Sequence, residues 1–172
     1  MAGLYGGHNI QRGEKRVNRE RIEEFLYREA DLLDRPDLDS WMNLFAESGT
    51  YWMPATEDQH DPINHISHIY DDRVMMEIRR RNFIHPRASS KEWEVRCSHV
   101  IGNIRFLPEA EEEVITITSN QHVAVWYRDE QRLYACRVTH RLQIDGEDFK
   151  ILEKRVDLIN SEAPQQSLII YL

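Results

Sequence analysis

Apolar residues recur at helical spacing from position 22: Ile22, Phe25, Leu26, Ala30 and Leu33 fall on one stripe, with Glu23, Glu24, Arg28 and Asp31 opposite. Asn18 stands where an N-cap is needed. Asp34-Arg35-Pro36 ends this helix, because proline disfavours helical geometry in the residue before it. Asp37 or Asp39 can cap a shorter helix that carries Leu38, Trp41, Leu44 and Phe45 inward and ends at Gly49. Thr50-Tyr51-Trp52-Met53 then has strand composition up to Pro54. Residues 55–70 follow neither period and read as irregular. A third helix is expected next, with Asp71-Asp72 at its positive end, Arg79-Arg80-Arg81 at its negative end, and Val74, Met75 and Ile78 on its buried side. Residues 82–93 read as a connecting loop.

Beyond that point the period changes to two. Strands are expected over residues 94–107, 114–127, 132–144 and 149–159, with Ile115, Ile117, Val123, Val125 and Tyr127 in phase on one face. Residues 108–113 form an acidic turn, residues 129–131 a second turn, and Asp145-Gly146 a hairpin signal, since glycine tolerates the positive φ such turns need. Residues 167–172 end the sequence as an apolar segment, either core strand or subunit contact. Helices first and long meandering strands after predict an α+β fold, helices packed on the concave face of a curved antiparallel sheet. The 172 residues divide into an extended arm (1–17) and a single domain (18–172).

Charge narrows the partners. A formal net charge of −8 opposes binding to nucleic acid or to an anionic membrane, both of which select clustered positive charge. No apolar run approaches the roughly 20 residues that span a bilayer, and Met1 to Arg21 lacks the apolar stretch of a secretory signal, so a cytoplasmic protein is expected. Lys15, Lys91, Lys150 and Lys154 are the lysines among 22 basic residues. The arginine bias fits a subunit surface, and genomic base composition equally well.

Three sets of residues invite chemistry. Cys97-Ser98-His99 and Cys136 with His140 are the ligand types of a Rieske centre or a two-Cys, two-His zinc site. They lie inside strand patterns, however, and the second pair has three intervening residues where a Rieske motif has two. Buried thiols and hydrogen-bonded histidines account for them better. His65 and His68 with Asp71, Asp72 or His85 have no distinctive metal spacing, and the two aspartates already serve a helix N-terminus. Proton transfer inside a cone-shaped pocket would fall to Tyr51, Asp71, His99 or His122. Nothing in the pattern separates these from core and surface residues, so no catalytic, cofactor or metal residue is assigned. Nucleophile-elbow, phosphate-loop and dinucleotide fingerprints do not occur.

Phe25-Leu26-Tyr27-Arg28-Glu29-Ala30, Leu33-Asp34, Asp39-Ser40-Trp41 and Tyr51-Trp52-Met53-Pro54-Ala55 resemble, taken together, the small (β) subunits of aromatic-ring-hydroxylating Rieske dioxygenases. The benzoate-type members are the most similar, and the likeness continues through residues 66–73, Ser98-His99 and Gly102-Asn103-Ile104. This resemblance implies the cone of nuclear transport factor 2 and scytalone dehydratase (a cystatin-like arrangement). It implies an α3β3 hexamer in which small subunits also contact one another. The large subunit would hold the Rieske 2Fe–2S cluster and mononuclear iron, with a reductase supplying electrons from NADH, and this chain would hold neither metal. A stand-alone isomerase or dehydratase, and a small-molecule binding protein, are the rival readings on the same cone. An interior filled by Tyr51, Trp52, Trp126 and aliphatic residues would exclude the isomerase.

Overall fold

The computed structural model describes residues 18–85, 94–164 and 168–172; the proposed arm lies outside them. Helix α1 (Arg19–Asp34) starts at Asn18, whose side chain accepts the Arg21 N–H at 2.9 Å. Its buried stripe is the expected one with Glu29 added. Helix α2 (Leu38–Met42) is capped by Asp37, which accepts both the N–H and the hydroxyl of Ser40.

Strand β1 (Phe45–Pro54) begins earlier than expected. Gly49 ends no helix but lies inside this strand, where it lets β1 approach β6 (Asp148–Leu158) closely. A Cβ on Gly49 would stand 2.6 Å from the Ile151 carbonyl oxygen. Residues 67–71, expected to be irregular, form the edge strand β2 (Ser67–Asp71), antiparallel to β1 with Tyr51 opposite Asp71.

Helix α3 (Arg73–Ile84) is capped by Asp72 and reaches three residues into the expected loop; His85 follows as its C-cap, and residues 86–93 lie outside the described residues. Its orientation is the reverse of the expected one. Val74 (68% exposed), Met75 (41%) and Ile78 (44%) face outward, and Met76 is buried. The cause is polar: Arg73 donates to the Met42 carbonyl at 2.6 Å, Arg79 pairs with Asp71, and Arg80 pairs with Asp39 and Glu77. The Met42 carbonyl and Asp71 lie on the inner side and hold Arg73 and Arg79 toward it, while Arg80 meets Glu77 on α3 itself and the exposed Asp39.

Strands β3 (Arg96–Leu107), β4 (Val114–Tyr127), β5 (Glu130–Asp145) and β6 form an antiparallel meander. The sheet order is β2-β1-β6-β5-β4-β3, and the β1–β6 pair is parallel, so the sheet is not wholly antiparallel as expected. The β4–β5 turn is Arg128-Asp129, one step earlier than expected, with both residues at positive φ (52° and 59°). Gly146, at φ 63°, makes the β5–β6 turn with Glu147, one residue later than expected, because Asp145 still pairs with Asp148. Helices α1 and α2 close the concave face. Odd-numbered β4 residues Ile117, Val123, Val125 and Tyr127 point into this core, as do Val138 and Leu142 of β5. Residues 168–172 pack in the core without joining the sheet, and Ile170, Tyr171 and Leu172 are buried.

Candidate functional site

Polar residues occupy the apolar phase of three elements. Glu29 falls on the buried stripe of α1, His140 in phase with Val138 and Leu142 on β5, and Lys154 in phase with Val156 and Leu158 on β6. The fold brings them together. Glu29 Oε1 accepts from Lys154 Nζ at 2.8 Å and from Trp41 Nε1 at 3.2 Å, and Oε2 accepts from His140 Nε2 at 2.9 Å. All four residues are buried, Glu29 to 2% exposure and Lys154 to 1%. Burial disfavours the Glu29 carboxylate, but Lys154 and His140, through charge and hydrogen bonds, outweigh it and hold its pKa well below the carboxylate range. This cluster holds α1, β5 and β6 in one arrangement, and the Glu29 carboxylate is its shared acceptor, while the buried His140 Nδ1 has no hydrogen-bond partner among the described residues.

A second polar group adjoins the first through Trp41 and Tyr51. Asp71 accepts the Tyr171 hydroxyl at 2.7 Å and pairs with Arg79. The Tyr171 ring stacks on Trp41 (centroids 4.4 Å, 24° between planes) and meets Tyr51 edge-on at 4.7 Å. Tyr51 in turn donates to the Leu172 carbonyl and accepts its N–H. Burial raises the pKa of both tyrosines, so each hydroxyl stays a donor.

The cone interior is therefore filled, by Trp41, Tyr51 and Tyr171. Trp52 and Trp126 take no part in this filling and are on the outer face, because each is one residue out of phase with the inward set. Trp52 lies beneath the Arg155 guanidinium and donates to Ser67, and Trp126 is 37% exposed. A hollow of about 330 Å³ lies outside the cone, between Phe45–Glu47 and the β5–β6 turn.

The four proton-transfer candidates do not converge. Tyr51 and Asp71 are a registered interior pair engaged by residues 171 and 172. His99 is tied to Asp34, whose carboxylate accepts both its backbone N–H (3.0 Å) and its Nδ1–H (2.6 Å). Burial, opposed by Asp34, sets the His99 pKa below the ordinary value. His122 is exposed on the outer face, since even-numbered β4 residues around it point outward.

The Cys–His pairs are apart as well. Cys97 is level with Val125 of β4 and Cys136 with Gln121, four residues along the strand, or roughly 13 Å. Burial pushes the Cys97 thiol up to about 12 and Cys136 up to about 11, the opposite of what a thiolate ligand or nucleophile needs. His68 donates to the Ser161 carbonyl at 2.7 Å and lies on the face of β2 opposite Asp71. His65 is exposed, and Asp72 caps α3. Among the described residues no group of three His, Cys, Asp or Glu side chains is placed to hold a metal. No helix among them is long and apolar enough to cross a membrane.

Sequence reasoning left Glu29, Lys154, His140 and Tyr171 without partners. The available signal was phase: a charged residue at an apolar position of a helix or strand must find an opposite charge inside.

The class defined by this geometry is a cone-shaped α+β domain whose interior is closed by its own aromatic residues. Residues 28–165 match the ring hydroxylating beta subunit family, and the chain belongs to that family. It is 31% identical to the benzoate 1,2-dioxygenase subunit beta of Acinetobacter baylyi, over 84% of this chain and 88% of that one. It is 35% identical to the toluate 1,2-dioxygenase subunit beta of Pseudomonas putida, over 55% of this chain and 62% of that relative's length. The crystal structure of the benzoate 1,2-dioxygenase beta subunit from Burkholderia mallei superposes with a TM-score of 0.72 at 28% identity, covering 88% of this chain and 97% of that one.

Proposed function

We propose that this chain is the small subunit of the terminal oxygenase of an aromatic-ring-hydroxylating dioxygenase, acting in assembly while a large subunit carries out the chemistry. The observation that carries this reading is the family match through residues 28–165. The likeness to benzoate and toluate relatives favours aromatic carboxylates as the substrate class. In this reading the large subunit holds a Rieske 2Fe–2S cluster and a mononuclear iron, and adds both atoms of O2 to the ring to give a cis-dihydrodiol. The assembly is an α3β3 hexamer in the cytoplasm, with small subunits also in mutual contact.

Two features of the chain support an assembled state. Its cone is filled, which leaves no room for a substrate beside a proton-transfer pair. It also presents apolar side chains to solvent on two faces: Val74 and Ile78 of α3, and Val100 and Leu133 on the outer side of the sheet.

Co-expression with a benzoate-type large subunit tests the proposal. The expected result is co-purification at the mass of a hexamer, dihydrodiol formation when reductase and NADH are added, and no oxygenation by this chain alone. Failure to associate with any dioxygenase large subunit overturns it.

A further inference from the structure

Residues 168–172 are held differently from the rest of the core. They add no strand, and their described hydrogen bonds are those of Tyr171 to Asp71 and of the Leu172 backbone to the Tyr51 hydroxyl. They also lie beyond the stretch that matches the family. Around Tyr171 the cone supplies what a receptor for a phenol would supply. One face of its ring is covered by Trp41 at 4.4 Å, and the edge of Tyr51 closes another side at 4.7 Å. Its hydroxyl ends on Asp71, a carboxylate 1% exposed and already oriented by Arg79. Phe45 backs Trp41 at 4.7 Å, so the aromatic wall is itself supported.

We infer that the closed end of the cone is a phenol-binding site occupied in cis by Tyr171, and that a para-alkylphenol is the ligand class it takes when that ring is withdrawn. The acceptor determines the selectivity. A neutral hydroxyl donates to Asp71 and satisfies a buried carboxylate. A plain arene fills the same volume but leaves that oxygen with its Arg79 bond alone, one donor fewer. An aromatic carboxylate brings a second negative charge against Asp71 and is excluded, so the site is distinct in chemistry from one for benzoate. In the intact chain the tether gives Tyr171 a millimolar effective concentration or more, which keeps dilute phenols out.

The test uses the full chain with Tyr171→Gly and p-cresol, which is the tyrosine side chain cut at Cβ. Ligand-dependent thermal shifts give the affinities. The expected result is that p-cresol binds Tyr171→Gly about tenfold tighter than toluene, the ratio set by one hydrogen bond to a charged acceptor. p-Toluate gives no shift, and the unsubstituted chain gives none with millimolar p-cresol. Adding Asp71→Asn removes most of the preference. Equal shifts with toluene and p-cresol, a shift with p-toluate, or none with any of the three overturns the inference. If Tyr171→Gly does not fold alone, refolding in millimolar p-cresol, toluene or p-toluate reads the same selectivity. Recovery of native dichroism with p-cresol alone supports it, and recovery with all or with none overturns it. These outcomes are independent of assembly with a large subunit, so either result stands whichever way the co-expression falls.

Discussion

Glu29→Gln puts the buried ionic cluster to a quantitative test. The substitution keeps the size of the side chain and leaves one oxygen to accept from Trp41 or Lys154. It removes the charge that Lys154, 2.8 Å away and 1% exposed, requires. Breaking a buried pair by removing one partner costs about 3–5 kcal/mol, chiefly because the other charge is left uncompensated. An ordinary lysine can be neutralised at pH 7 for about 5 kcal/mol, which sets a ceiling near the same figure. The loss is then roughly a fifth or more of the stability of a typical domain, about 5–15 kcal/mol. Urea unfolding measures it, with the midpoint falling while the slope is unchanged. The double variant Glu29→Gln/Lys154→Met removes both charges and regains about 2 kcal/mol or more over the sum of the single losses.

Acid titration adds an independent readout. The folded Glu29 pKa lies below its unfolded value of 4.5, so its contribution is present above that value and lost as pH falls toward the depressed one. Glu29→Gln flattens that part of the profile. A loss under about 1 kcal/mol, or strict additivity in the double variant, would refute the argument that the charges are coupled in the core.

Gly49→Ala is expected to destabilise the chain by about 1–3 kcal/mol, seen as a lower Tm, because its Cβ meets the Ile151 backbone carbonyl at 2.6 Å and no side chain can yield. Asp129→Gly moves the other way: glycine takes the positive φ (59°) without strain, and calorimetry should show a gain of about 0.5–1 kcal/mol. Cys97 and Cys136 should resist a thiol-specific disulfide reagent at pH 8 in the folded chain and react at once in denaturant, since burial pushes both thiols up, to about 12 and about 11. Fast labelling of both in the native chain would contradict the packing described for β3 and β5.

Much of this architecture was legible as local pattern. The stripe from Ile22 to Leu33, the cap at Asn18 and the phase of β4 each depend on neighbours within a few residues and stand where the pattern put them, and the β5–β6 turn falls one residue on, at Gly146-Glu147. Edge strand β2 was not legible, because five residues flanked by a loop and a helix carry too little alternation to register. The parallel β1–β6 pair was hidden too, since pairing direction is a property of two distant segments.

Helix α3 shows how a correct pattern can give the wrong face. Val74, Met75 and Ile78 form an apolar stripe, yet Arg73 and Arg79 turn inward, where the Met42 carbonyl and Asp71 wait. The same holds in the core, where Glu29 meets a histidine 111 residues away and a lysine 125 away.

The sequence by itself determined the class of fold, the helices and strands that build it, and the likeness to a family of small oxygenase subunits. Tertiary structure alone decided which charges meet in the core, which face α3 turns outward, and that Tyr171 fills the cone. Periodicity records which side of an element avoids water, a local property. The partner of a buried charge is chosen by long-range geometry, and only the closed fold supplies that.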